Sequence, residues 1–138
     1  MFFGEEHLTE KQARLMNPVV LAFVGDAVYT LFVRTAAAKY SDEKANALNK
    51  KSASEVSAVS QAKKIDALIA ILTEEELALF KRARNAKKTT RAKHASVSQY
   101  NKSTGFEAVV GYLYLTGQEE RLKEILTFKP TEEEQNEG

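Results

Sequence analysis

The chain has 138 residues, of which 43% are hydrophobic and 28% are charged, as expected for one folded domain with its own core. It contains no cysteine, which excludes disulfide bonds, thiolate zinc sites and cysteine nucleophiles. The formal net charge is only +1, so the total charge by itself does not indicate a nucleic-acid partner. No signal peptide is recognisable at the N-terminus, and we expect a cytoplasmic location.

The first predicted elements are helices, because Ala, Leu, Lys and Glu dominate while glycine and proline are scarce. Thr9 with Gln12 forms a capping-box pattern before a short helix. Pro18 suits the first turn of a long helix, which we expect to run to about Lys39. Ser41 is expected to start another helix.

Two more capping boxes follow in the middle of the chain. Ser52 with Glu55 predicts a helix through about Leu72, and Thr73 with Glu76 predicts a helix to about Ala86. The segment Thr89–Ser98 has weak periodicity and many polar groups, so we interpret it as a basic loop.

The last predicted helices come after that loop. Ser98 or Ser103 is expected to cap a helix that runs through Leu115, and Gly117 is expected to end it as the residue after the cap. A final helix covers about residues 119–126. The prediction is an all-α fold with one domain over residues 1–128, followed by an acidic disordered tail at 129–138.

One stretch, Val19–Val33, is apolar enough to raise the possibility of a membrane span. A span needs roughly 20 residues, and this stretch is shorter and carries Asp26 at its centre. We therefore predict a buried core helix and no membrane partner.

Asp26 and Glu107 are each the single charged residue in one of the two most apolar segments, Val19–Val33 and Phe106–Leu115. An unpaired carboxylate buried in such a helix costs several kcal/mol, which favours a functional role. Small residues flank both acids and would leave open volume for a hydrated Mg²⁺ and a phosphate; they are Ala22, Gly25, Ala27, Ala108 and Gly111. If the two helices cross, Asp26 and Glu107 form a two-carboxylate metal site.

Structural roles for the two acids stay open at this point. Asp26 could pair with Arg34 or Arg14, and Glu107 could lie at a helix N-terminus and complement the helix dipole. The two histidines, His7 and His94, lack metal-ligand spacing.

Basic residues are concentrated in the segment Leu77–Phe106, which contains no Asp or Glu. This segregation predicts a local positive field that attracts a polyanion, whereas the alternative is a solvated lysine-rich face. The candidate RNA-binding residues are Lys81, Arg82, Arg84, Lys87, Lys88, Arg91 and Lys93.

Two segments carry a family resemblance. Phe23–Val28, with the sequence FVGDAV, resembles the first half of the ribonuclease III signature. Phe106–Leu115 resembles its second half, in which Glu-Ala precedes an apolar run. Lys81–Lys87 and Ser103–Ala108 are similar to Mini-ribonuclease III, the short bacterial branch of that family. The resemblance covers about residues 17–126.

The chain departs from the larger members of the family at three acidic positions. They carry Glu where this chain has Val19 and Ala22, and Asp where it has Thr104. These differences put a second metal ion per site in doubt. The chain also has no room for the double-stranded-RNA-binding domain that follows the catalytic domain in larger relatives.

The resemblance implies a Mg²⁺-dependent endoribonuclease, with Mn²⁺ as a possible substitute, in which Asp26 and Glu107 hold the metal. It implies cleavage of double-stranded RNA by a homodimer with Phe23 at the interface, leaving 5′-phosphate and 3′-hydroxyl ends. In the short branch the implied substrate is precursor large-subunit ribosomal RNA. A catalytically silent RNA-binding or ribosome-associated module and a purely structural helical dimer are the alternatives.

Overall fold

A computed structural model of the chain describes residues 6–40, 58–88 and 96–130. These residues form helices and contain no strand, so the predicted all-α class is confirmed for the part of the chain that is described. The helices are α1 (Glu10–Arg14), α2 (Pro18–Tyr40), α3 (Ala58–Leu68), a 3₁₀ turn (Ile69–Ile71), α4 (Glu74–Asn85), α5 (Val97–Leu115) and α6 (Glu119–Thr127).

Several predicted helix ends are confirmed by their hydrogen bonds. Thr9 and Thr73 both form complete capping boxes, with Gln12 and Glu76 as the reciprocal partners. Gly117 follows the end of α5 with φ of 70°, a left-handed conformation that favours glycine. The amides of Gly117 and Gln118 bond back to the last turn of α5, as in a Schellman motif. The predicted starts at Ser41 and Ser52 and the acidic tail beyond residue 130 lie outside the described residues.

The predicted start of α5 was wrong by a few residues. Neither Ser98 nor Ser103 caps this helix; the cap is Ser96, whose hydroxyl accepts from the Gln99 amide while the Gln99 side chain accepts from the Ser96 amide. The prediction of a basic loop over Thr89–Ser98 therefore extended too far, because the helix cap is already at Ser96. The pattern Ser-x-x-Gln at 96–99 is itself a capping box, so the sequence did contain the correct signal.

Helix α5 forms the centre of the domain. Between Ser103 and Leu113 every residue of α5 is buried except Glu107. A helix that is apolar almost all round must be covered on every side, and α2, α3, α4 and α6 each pack against it. Tyr29 of α2 meets Phe106 of α5 edge to face at 5.1 Å, an arrangement that aromatic rings prefer.

The crossing of α2 and α5 is set by two glycines. A Cβ at Gly25 would lie 1.7 Å from the Glu107 carbonyl oxygen, and one at Gly111 would lie 2.0 Å from the Leu21 carbonyl oxygen. The two backbones are therefore in direct contact. This corrects the expectation that the small residues leave open volume beside the acids, because here they allow the two helices to approach each other.

Gly25→Ala is expected to destabilise the fold by about 1–3 kcal/mol or more, because the added methyl group overlaps backbone that cannot move aside. In an ordinary helix interior the same change stabilises by roughly 0.5–1 kcal/mol. The measurement is urea unfolding, with the exposed Ala27→Gly variant as a control expected to lose only about 1 kcal/mol. A Gly25→Ala variant more stable than the wild type would contradict the close crossing.

Helix α6 is fixed to α4 by a partly buried ion pair. The Arg121 guanidinium donates from Nε to Glu76 Oε2 at 2.9 Å and from Nη2 to Oε1 at 2.7 Å, a bidentate geometry. Burial by itself raises the pKa of Glu76, but hydrogen bonds from Arg121 and Thr73 outweigh it and hold the pKa below its usual value. The charged pair therefore connects the C-terminal helix to the domain.

Helix α2 is only half buried, which corrects its interpretation as a core helix. Leu21, Tyr29 and Val33 face the core, whereas the large side chains of Val20, Phe23 and Leu31 are exposed. By length and composition alone α2 could cross a membrane. Its packing across α5 accounts for one apolar face, and we call the other face, formed by Val20, Phe23 and Leu31, the exposed α2 stripe.

Candidate active site

The crossing of α2 and α5 brings the two predicted carboxylates together. Asp26 follows Gly25, which contacts the backbone at Glu107, so the two carboxyl groups lie close enough for Asp26 to raise the pKa of Glu107. Glu107 is half-buried, whereas Asp26 is exposed to solvent. The expectation that both acids are buried was therefore wrong for Asp26, since its carboxylate lies at the open side of the crossing.

Glu107 carries a strongly perturbed carboxyl group. Burial is the largest cause, and the hydrogen bond and negative charge of Asp26 add to it, so that together they raise the pKa of Glu107 to about 9. The Ser103 hydroxyl acts in the opposite direction. At neutral pH and without a cation, the carboxyl group of Glu107 is therefore protonated.

The structural roles that the sequence left open do not fit this geometry. Arg14 pairs with Glu10 and Glu75 rather than with Asp26, and no ion pair joins Asp26 to Arg34 within the described ranges. Glu107 lies in the middle of α5, far from the helix start at Val97, so it does not complement the positive end of a helix dipole. Within residues 6–40, 58–88 and 96–130, no ion pair joins either of these two carboxyl groups to a basic side chain.

Two buried hydroxyl groups precede Glu107 on α5, and one of them contacts it. Ser103 and Thr104 are both buried. Ser103 Oγ donates to Glu107 Oε1 at 3.2 Å, whereas Thr104 Oγ1 donates to the Tyr100 carbonyl at 3.0 Å. Sequence reasoning did not identify Ser103 as a contact of Glu107, although its position one helical turn earlier was a usable signal.

The donor set suits a hard divalent cation. Mg²⁺ takes oxygen ligands, keeps several waters and commonly binds through one or two protein carboxylates together with substrate phosphate. A cation bound by both carboxylates would replace the proton on Glu107 and offset the repulsion between the two negative charges. Among residues 6–40, 58–88 and 96–130, no group of three or more His, Asp or Glu side chains forms a protein-only metal cage. The two carboxyl groups therefore suit a metal ion that also takes ligands from the substrate and from water.

The predicted basic surface lies on and after α4. Lys81, Arg82 and Lys87 are exposed, and we call these three residues the α4 basic face. Arg82 also donates from Nη1 to the Arg14 carbonyl at 3.1 Å. The remaining candidates Arg91 and Lys93 lie outside the described residues.

Arg84 and Lys88 are half-buried and have intramolecular partners. The Arg84 guanidinium lies over the Phe80 ring at 5.9 Å and donates from Nε to Asn85 Oδ1. Lys88 Nζ donates to the carbonyls of Ala86 at 2.7 Å and Arg84 at 3.0 Å, as a cation at a helix C-terminus often does. Burial lowers the pKa of Lys88. Lys88 thus has a structural role at the end of α4.

Residues 19–118 match the model of the ribonuclease III domain, a span that contains both carboxylates and the crossing that joins them. The chain belongs to the ribonuclease III family. It is 46% identical to the Mini-ribonuclease 3 of Clostridium tetani, over 99% of this chain and 93% of that protein. It is 43% identical to the Mini-ribonuclease 3 of Staphylococcus aureus, over 85% and 89% of the two chains.

A solved structure supports the same assignment. The crystal structure of a protein from Fusobacterium nucleatum superposes with a TM-score of 0.74 at 33% identity, over 82% of this chain and 90% of that one. The predicted resemblance to the Mini-ribonuclease III branch is confirmed by these relatives. The chain is therefore an endoribonuclease of the ribonuclease III type, and the roles of Asp26 and Glu107 as metal ligands stay a prediction.

Proposed function

We propose that the protein is a Mg²⁺-dependent endoribonuclease that cuts double-stranded RNA as a homodimer. The observation that carries this proposal is the close crossing of α2 and α5, which places the carboxyl groups of Asp26 and Glu107 side by side. Two neighbouring carboxyl groups that have no ion pair to a basic side chain among the described residues are electrostatically unfavourable as two anions, unless a proton or a cation is bound there. A domain selected only for stability has no need of that arrangement.

The residues of the site would act by holding a divalent cation and by orienting it. A bound divalent cation would supply a Lewis acid for the phosphate and lower the pKa of a water molecule. Asp26 and Glu107 would hold that cation, and Glu107 would release its proton when the cation binds. Hydroxide attack on phosphorus with departure of the 3′ oxygen leaves a 5′-phosphate and a 3′-hydroxyl. Mn²⁺ also prefers oxygen ligands and is expected to substitute.

Assembly would bring two such sites onto one duplex. The exposed α2 stripe, with Phe23 80% exposed, supports a twofold contact between two copies of this helix. Twofold symmetry of the protein would match the pseudo-twofold symmetry of an A-form duplex, so each subunit would cut one strand. A protein of this kind recognises shape, phosphates and 2′-hydroxyls more than sequence.

We further propose precursor large-subunit ribosomal RNA as the natural substrate, in the cytoplasm. This part rests on the relatives, which are named Mini-ribonuclease 3 in several bacteria, and on the ribosomal role that the resemblance to this branch implies.

Incubation with a long RNA duplex tests the proposal directly. We expect cleavage of the duplex with Mg²⁺, none after chelation by EDTA, and none of either separated strand. The products should be ligated without prior phosphorylation, because their ends carry a 5′-phosphate and a 3′-hydroxyl. Duplex binding without cleavage at any Mg²⁺ or Mn²⁺ concentration would instead identify a silent RNA-binding module.

The α4 basic face is expected to hold the duplex backbone. Each phosphate contact contributes roughly 0.7–0.9 to the slope of log affinity against log salt concentration for nucleic acids. Replacing Lys81, Arg82 and Lys87 together with Ala should therefore flatten the slope by about 2 and weaken binding to every duplex alike. Fluorescence anisotropy in EDTA at several salt concentrations measures both quantities without cleavage.

A matched variant separates local contacts from loss of total charge. Replacing Lys11, Lys123 and Lys129, which are also exposed, with Ala removes the same charge elsewhere and should change the slope by less than 1. Equal slopes for the wild type and the Lys81, Arg82, Lys87 variant would place the RNA contact on another surface.

A further inference from the structure

Ser103 occupies an unusual place for a polar side chain. It is 4% exposed, lies one helical turn before Glu107 on the central helix, and donates its hydroxyl hydrogen to Glu107 Oε1 at 3.2 Å. The next residue, Thr104, has a hydroxyl directed back to the Tyr100 carbonyl, which is a common arrangement for threonine in helices. Ser103 is thus the α5 hydroxyl that reaches forward to the carboxyl pair.

We propose that Ser103 is a positioning residue for the metal ligand Glu107. Its hydrogen bond to Oε1 fixes the rotamer of the glutamate, so that the side chain is held toward Asp26 and the divalent cation that both would bind. This inference rests on the proposed function, because it presupposes that Asp26 and Glu107 hold a cation.

The chemistry of the hydroxyl group favours this role. A serine hydroxyl can donate to a protonated or to an ionised carboxyl group, and more strongly to the ionised one, so the contact persists and strengthens when Glu107 exchanges its proton for a cation. A glutamate has several rotatable bonds, and fixing them before the metal arrives reduces the entropy lost on binding. Residues that hydrogen-bond metal ligands typically change metal affinity or activity by 10–100-fold when they are mutated.

Ser103→Ala is expected to weaken Mn²⁺ binding by about tenfold. Binding is measured by calorimetry on the full chain without RNA, so the readout does not depend on cleavage. Cleavage should require correspondingly more Mn²⁺, while the rate at saturating Mn²⁺ falls less than the affinity. Ser103→Thr keeps the hydroxyl and should restore most of the affinity, and Ser103→Cys, a much weaker donor of similar size, should lie between Ala and wild type.

Thr116→Val is the matched control, because it removes a hydroxyl at the end of the same helix, nine residues after Glu107, where the hydroxyl donates to the Tyr112 carbonyl. It should bind Mn²⁺ within about twofold of the wild type, since the group it removes is not a partner of the metal ligand. Thermal melting in EDTA confirms that each variant is folded.

The outcomes separate this inference from the one on which it rests. Wild-type protein that binds Mn²⁺, together with Ser103→Ala that binds it equally well, overturns the role of Ser103 and leaves the metal site intact. A similar loss in Thr116→Val also overturns it, because the effect would then be one of helix stability and not of contact with Glu107. Wild-type protein that binds no Mn²⁺ with or without RNA overturns both.

Discussion

Glu107→Gln and Asp26→Asn are each expected to reduce duplex cleavage by a hundredfold or more, because loss of a metal ligand should cost more than the roughly 10–100-fold typical of its hydrogen-bonding partners. Both variants should keep the fold, since Gln and Asn preserve the shape of the side chains they replace. The measurement is the single-turnover rate on a long duplex at saturating Mg²⁺. Glu120→Gln, which removes an exposed carboxylate from α6, is the control and should cleave at the wild-type rate. Wild-type rates in either site variant would end the two-carboxylate proposal.

The same substitution at Glu107 should raise stability when no divalent cation is present. The pKa of Glu107 is about 9 in the folded protein against 4.5 for the ordinary side chain, so between these values the folded state binds more protons than the unfolded chain. The contribution of Glu107 to the free energy of unfolding of the wild type must therefore fall as pH rises through this window. Gln has no proton to lose, and Glu107→Gln should exceed the wild type by about 1–4 kcal/mol at pH 8.

Urea unfolding in EDTA at pH 5 and pH 8 measures this difference. The advantage of Glu107→Gln should be small at pH 5 and large at pH 8. Mg²⁺ should restore much of the wild-type stability at pH 8, because a cation bound by Asp26 and Glu107 takes the place of the proton on Glu107. A variant less stable than the wild type at both pH values would mean that Glu107 is held by a favourable interaction, as in an ordinary ion pair.

The sequence predicted most helix ends and singled out the two carboxyl groups that the structure brings together, because both predictions rest on local or nearly local signals. Capping boxes at Thr9 and Thr73 and the glycine at position 117 act within a few residues of themselves. Asp26 and Glu107 could be identified because a lone charge in an apolar helix is costly wherever that helix packs. The start of α5 at Ser96 was missed although its signal was equally local, since the polar residues before it made the whole segment resemble a loop.

What the sequence could not predict depends on which surfaces meet. An apolar helix has the same composition whether its second face is buried in the domain or is free for another chain, so the exposure of Phe23 and Asp26 could not be obtained from hydropathy. The function of Gly25 and Gly111 likewise depends on a partner backbone more than 80 residues away in sequence. Small residues beside an acid are compatible with open volume and also with the close approach of two helices. Only the tertiary structure distinguishes these two possibilities.

Phe23→Glu is expected to convert the proposed dimer into monomers. The ring is 80% exposed and lies on the exposed α2 stripe with Val20 and Leu31, so the isolated chain presents an apolar surface that a twofold contact would cover. By symmetry each dimer buries two copies of this side chain. Losing about 2 kcal/mol for each ring would weaken association by about a thousandfold, and two opposed carboxylates near the axis would weaken it further.

Sedimentation at micromolar concentration, followed by duplex cleavage and Mn²⁺ calorimetry on the same samples, separates assembly from damage to the site. Phe23→Glu should sediment as a monomer and should not cleave the duplex. Each monomer should still bind Mn²⁺, because Asp26 and Glu107 come from one chain. Ile71→Glu, which places the same charge at an exposed apolar position outside α2, should remain a dimer and stay active. A wild type that sediments as a monomer would refute the dimer. Loss of Mn²⁺ binding in Phe23→Glu would mean instead that the substitution disturbs the crossing of α2 and α5 that holds the carboxylates together.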